Sequence, residues 1–139
     1  MKIKYMLFLL GWIPSILFSQ LGSSLDEVIE EFGSDFEVLE REDDFDYHIR
    51  FTEDSENSEE GEIWTVLSFD RNSKATLICQ QAIIIRPRSH ANRVINDISS
   101  RGFVEVSNLV WLDYSTNIRY LITIDGDAVG LFKSYFSLD

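Results

Sequence analysis

The sequence predicts an α+β fold, an antiparallel sheet with two short helices, on three observations. Apolar residues recur at one-turn spacing in two short stretches. They alternate, or run continuously, in several stretches of strand length, and turn-forming residues separate those strands at short intervals. The chain of 139 residues is 45% apolar and 13% aromatic, which is material for one hydrophobic core despite a formal net charge of −12.

The chain opens with an export signal. Lys2 and Lys4 precede an apolar stretch from Tyr5 to Phe18, interrupted by Gly11, Pro14 and Ser15. That stretch is shorter than the roughly 20 residues a helix needs to span a bilayer, and its order of charge, apolar centre and small residue is that of a secretory signal peptide. Removal of residues 1–19 is expected, although Leu17 is bulky for the third position before a cut at Ser19. No cysteine lies near the cut to carry a lipoprotein's lipid. The product is then a single domain at 20–139, periplasmic or secreted, without stable membrane insertion. It keeps 10 basic and 24 acidic side chains, a net −14. Cys79, the one cysteine, cannot form an intrachain disulfide, so the fold must rest on its core.

The first helix is expected from Ser24, which can cap free amides while Glu27 reaches back to complete a capping box. Val28, Ile29 and Phe32 share a face, and Gly33 is a natural stop. Strand patterns follow at Phe36 and Val38, at Tyr47, Ile49 and Phe51, and from Ile63 to Phe69. After a turn at Asp70-Arg71-Asn72-Ser73, a long strand is expected from Lys74 to Ile85, with Ala75, Leu77 and Cys79 on one face and Thr76, Ile78 and Gln80 on the other. Pro87 closes this half. Ser89 is the expected cap of a second helix, with Val94, Ile95 and Ile98 on its buried face and Gly102 as its stop. Strands then follow at Phe103 to Val106, Leu109 to Tyr114, Arg119 to Ile124 and Ala128 to Phe136, with a hairpin at Asp125-Gly126. The two halves, 24–85 and 89–138, share a plan of a helix followed by three or four strands, the pattern of a tandem repeat or of an α+β domain that alternates helices and hairpins without duplication.

The segment Ser24-Leu25-Asp26-Glu27-Val28-Ile29-Glu30-Glu31-Phe32-Gly33 resembles the helix opening of BamE/SmpA-type modules and of β-lactamase-inhibitor-protein-like repeats. The resemblance covers these residues and the repeat plan. It departs from the pattern where Ser34 and Asp35 follow Gly33 in place of the proline those modules often carry, and in lacking a lipid-bearing cysteine. It implies short helices paired with an antiparallel sheet, and a role in binding proteins rather than in catalysis. It carries over no functional residue.

Acidity is concentrated. Residues 26–62 hold 17 of the 24 acids against Arg41 and Arg50, a net −15, whereas residues 63–139 hold 7 acids and 8 bases. Two runs, Glu40 to Asp46 and Glu53 to Glu62, read as loops that either confer solubility or meet a basic protein surface. Glu40, Glu42, Asp43, Asp44, Asp46, Glu59 and Glu60 are the candidate partner contacts, since a concentrated negative field steers a cationic partner into contact. The same charge argues against a nucleic-acid partner, whose phosphates require basic contacts. Neither Asp70-Arg71-Asn72-Ser73-Lys74 nor Glu42-Asp43-Asp44-Phe45-Asp46 continues with the ligands of a calcium loop, so no metal or other cofactor is expected.

Arg86, Arg88 and Arg93, with His90 and Arg101, form a basic stretch before and along the second helix. They are candidate anion contacts, ordinary surface charges, or complements of the acidic segment. For catalysis the inventory is thin: a Cys79–His48 dyad is the available nucleophile and base, both in expected strands, where a cysteine usually fills apolar space. Trp64 and Trp111 are expected in the core or on a sheet face, where an indole can also stack on a sugar or peptide. The leading expectation is a non-catalytic, exported protein-binding module that uses its acidic segment as contact surface. A periplasmic enzyme inhibitor or immunity protein, and a hydrolase acting on envelope material, are the alternatives.

Overall fold

The computed structural model describes residues 21–40, 45–54 and 61–137. The expected signal peptide therefore lies outside the described residues, as do Glu42, Asp43, Asp44, Glu59 and Glu60. Helix α1, Leu25–Phe32, starts as its local sequence dictates: Ser24 Oγ accepts from the Glu27 amide at 3.1 Å, and Glu27 Oε1 accepts from the Ser24 amide at 3.0 Å. These bonds hold the Glu27 carboxyl below its ordinary pKa. Gly33 ends the helix with φ of 89°, and its amide donates to the Ile29 carbonyl at 2.8 Å.

Strands β1 (Glu37–Leu39), β2 (Tyr47–Asp54), β3 (Glu62–Arg71) and β4 (Leu77–Pro87) form an antiparallel meander. After a 3₁₀ turn at Arg88–His90 and helix α2, Ala91–Ser99, a second meander follows: β5 (Val104–Ser107), β6 (Val110–Asp113), β7 (Ile118–Asp125) and β8 (Ala128–Tyr135). The last strands of the two meanders pair antiparallel, Gln81 with Ser134 through Pro87 with Ala128. The result is one sheet of eight strands in the order β1-β2-β3-β4-β8-β7-β6-β5. The α+β expectation holds, and the sheet dominates it.

Both helices pack on the same face. Under α1, Val28 meets Ile49, Leu67, Phe69, Cys79 and Ala82; under α2, Ile98 meets Ile84, Trp111, Tyr120, Ile122, Val129 and Leu131. Leu21 packs against both clusters. The chain reaches it through Gly22, whose amide donates to the Cys79 carbonyl at 2.9 Å, and a Cβ on Gly22 would lie 2.8 Å from the Tyr135 hydroxyl.

Local details depart from the sequence reading for identifiable reasons. Strand β4 begins three residues later than expected, at Leu77, because Asn72 Oδ1 accepts from the amides of Lys74 at 2.9 Å and Thr76 at 3.0 Å and extends the turn. Within β4, Ser68 opposes Gln81 while Phe69 opposes Cys79, so Gln80 is an extra residue. This bulge turns Cys79 and Ala82 to the same core, where strict alternation would separate them. Ser89 does not cap α2. It lies in the 3₁₀ turn, which is fastened to the β7–β8 hairpin by the Arg88 amide donating to the Asp127 carbonyl at 2.8 Å, and His90 occupies the capping position without its side chain capping the helix amides. Gly102, with φ of 80°, lies in the turn after the helix end.

Candidate functional site

Neither described helix covers the other face of the sheet. An antiparallel sheet packed on one side usually alternates apolar inside with polar outside, and the centre of this sheet does not. The register aligns Arg50, Val66, Ile83, Phe132, Leu121 and Val110 in one transverse row across β2, β3, β4, β8, β7 and β6, all half-buried on the uncovered side. The adjacent row holds Trp64 and Ile85, then Gly130 and Thr123. Gly130 has a steric reason: a Cβ there would lie 3.0 Å from the Phe132 ring and 3.1 Å from Thr123 Oγ1.

Toward the β1 edge the row meets an ordered charged group. Arg50 pairs with Glu37 and places its guanidinium carbon 4.6 Å from the centre of the Trp64 ring, and Trp64 Nε1 donates to Glu62 Oε2 at 3.0 Å. Trp64 is 36% exposed, held from both ends by charge-assisted contacts. Arg50 Nε is buried and without a hydrogen-bond partner. Beside this group, His48 is only 7% exposed. Its Nδ1 shares a 2.8 Å hydrogen bond with Ser68 Oγ, and the Phe45 ring meets its ring edge to face at 5.8 Å. His48 Nε2 is buried without a hydrogen-bond partner, and His48 is among the residues that line a depression of about 500 Å³.

The sequence candidates distribute unevenly over this face. Glu40 is exposed at the end of β1 and borders the same depression. Asp46 acts as a local fastener: its Oδ2 accepts from the Arg71 amide at 3.0 Å, and its amide donates to Asp70 Oδ1 at 3.0 Å. Arg88 Nη1 donates to the Gly126 carbonyl at 3.0 Å, a turn contact, while Arg86 lies on β4 and Arg93 is exposed on α2. The ion pairs Arg50–Glu37 and Arg101–Asp97, the latter at 3.2 Å, each stay within one half of the chain. The two tryptophans part company, Trp111 buried under α2 and Trp64 on the uncovered face.

The Cys79–His48 dyad is not assembled. Cys79 lies in the core under α1, whereas His48 sits on the opposite face against Ser68. Burial, partly offset by a hydrogen-bonding contact with the Gln81 backbone, pushes the Cys79 thiol up to about 12. The native protein is accordingly expected to resist alkylation by iodoacetamide at mildly alkaline pH and to react fully in denaturant; mass spectrometry showing rapid native labelling would contradict this burial.

Sequence reasoning missed the apolar row and the buried face of His48. The signal for the first was Ile83-Ile84-Ile85, a run that places apolar side chains on both faces of a strand. Among the described residues there is no cluster of three or more potential metal ligands, and no helix is long and apolar enough to cross a membrane. Compared with protein-family models, curated proteins and solved structures, the chain matches none of them.

Proposed function

We propose that the chain is an exported, non-catalytic protein-binding module that receives a basic partner on the uncovered face of its sheet. The observation that carries this reading is the transverse row Val66, Ile83, Phe132 and Leu121, whose apolar side chains lie half-buried on a face that neither described helix covers. A contiguous apolar surface rimmed by polar groups is the mark of an interaction site. Trp64, already fixed by Arg50 and Glu62, supplies an anchor whose ordering cost is met before binding. Along β1–β3 the rim is acidic at Glu37, Asp54, Glu62 and Asp70, with Arg50 committed to Glu37, so a cationic partner suits that side, while Arg119 on β7 adds a base farther along the same face. The matched order of elements, each helix followed by a four-stranded meander and the meanders joined by their last strands, supports a tandem repeat as the origin of so broad a face.

The test is capture from cell-envelope extract with the tagged chain 20–139, in low and high salt. A partner retained at low salt, released at high salt and lost on Phe132→Asp is expected. Absence of any salt-sensitive partner, or equal capture by Phe132→Asp, would overturn the reading.

A further inference from the structure

We infer that the depression beside His48 receives a lysine side chain of the protein partner; the inference rests on the docking reading above and names its point of recognition. The floor is built by three strands. His48 on β2 is fixed by Ser68 on β3 at 2.8 Å, with Gln81 on β4 directly across from Ser68. His48 is only 7% exposed, and its Nε2 is buried with no hydrogen-bond partner. A buried polar atom left without a partner is destabilising, and because His48 lines an open depression the orphaned nitrogen points to a group that arrives from outside.

The charge around it selects the group. Glu37 and Glu40 border the depression, and Arg50, the described cation beside them, is already paired with Glu37. The potential therefore favours a cation over an anion. In the tautomer whose Nδ1–H donates to Ser68 Oγ, Nε2 carries a lone pair, and Gln81 and the Glu40 carboxylate on the same border bring further acceptor oxygens. An ammonium carries three donors on a compact head. Its four-carbon stem requires apolar walls, which Val66 and Ile83 provide on the same border. The volume of about 500 Å³ admits the whole side chain.

The site can be tested without the partner, by NMR of the chain 20–139 carrying ¹⁵N-histidine. Nα-acetyl-lysine methylamide is the probe, with the norleucine and arginine analogues as comparisons. A saturable shift of the His48 Nε2 resonance is expected, about tenfold weaker or more for norleucine and several-fold weaker in Glu40→Gln, an exposed substitution that leaves the core intact. No saturable shift, an equal response to norleucine, or a stronger response to arginine overturns the proposal. In the extract capture, prior acetylation of extract lysines is expected to abolish binding. A partner lost to Phe132→Asp but held equally by Glu40→Gln and His48→Gln would leave the docking face standing and overturn the lysine site.

Discussion

Replacing Phe69 with alanine is expected to destabilise the protein by about 3–5 kcal/mol, the range for deleting a buried ring. Phe69 is fully buried at the centre of the α1 cluster, between Tyr47 on β2, whose ring centre is 6.4 Å away, and Cys79 on β4. It also stands at the bulge, where Gln80 is the extra residue that brings Cys79 and Ala82 onto the same side as Phe69. A cavity there cannot be closed by moving one strand, because β3 is hydrogen-bonded along both sides. The loss is a large share of the roughly 5–15 kcal/mol that holds a domain folded. Urea denaturation followed by tryptophan fluorescence measures it. Phe69→Leu, which keeps most of the volume, is expected to cost less than half as much; a Phe69→Ala loss under 1 kcal/mol would mean that α1 does not seal this cluster.

The elements were legible wherever their cause is local. Ser24 and Glu27 cap each other across three residues, so the first helix follows from its own sequence. Alternation of apolar residues located the strands to within a few positions. What depends on distant partners was not legible. The pairing of Gln81–Pro87 with Ala128–Ser134, which makes one sheet of two meanders, joins segments more than forty residues apart and leaves no local mark. The bulge at Gln80 is likewise decided by the core it feeds, and the failure of Ser89 to cap α2 by the fastening of the 3₁₀ turn to Asp127 and Gly126.

The same division applies to the candidate site. Its acidity is a count along the chain, but the faces onto which the acids fall are set by register. Ile83-Ile84-Ile85 announced a strand apolar on both sides without saying which side the helices would take; α2 covers Ile84 and leaves Ile83 and Ile85 to the other face. His48 alternates with Tyr47 and Ile49 and so falls on the face opposite to theirs, but its burial there arises from Ser68, twenty residues on, and from Phe45.

The two core clusters meet at Lys133, and the wild type is expected to gain roughly 2 kcal/mol of stability relative to Lys133→Met between pH 7 and pH 9, because the buried amine loses its charge over that range and a thioether carries none. Lys133 is 1% exposed on the helix side of β8, between Ala82 and Tyr120 on the neighbouring strands. Burial pulls its ammonium down to about 7, with the neighbouring Cys79 sulfur acting in the opposite direction. The unfolded chain holds that proton up to its ordinary value near 10.4. Between about pH 7 and that value the unfolded state therefore binds more protons than the native state, and stability rises with pH. The gain approaches 1.4 kcal/mol per pH unit, roughly 2 kcal/mol from pH 7 to 9. Above about pH 9 the sign of the next group differs: the Cys79 thiol, raised to about 12, ionises first in the unfolded chain and offsets the lysine. Tyr120, also raised by burial, acts the same way at higher pH. Wild-type stability should thus climb from pH 7 to a maximum near pH 9, as its gap to Lys133→Met shifts in its favour by about the same 2 kcal/mol. Urea midpoints across that range decide the matter. A wild-type curve flat from pH 7 to 9, or a gap that stays constant, would show that Lys133 keeps its proton in the core.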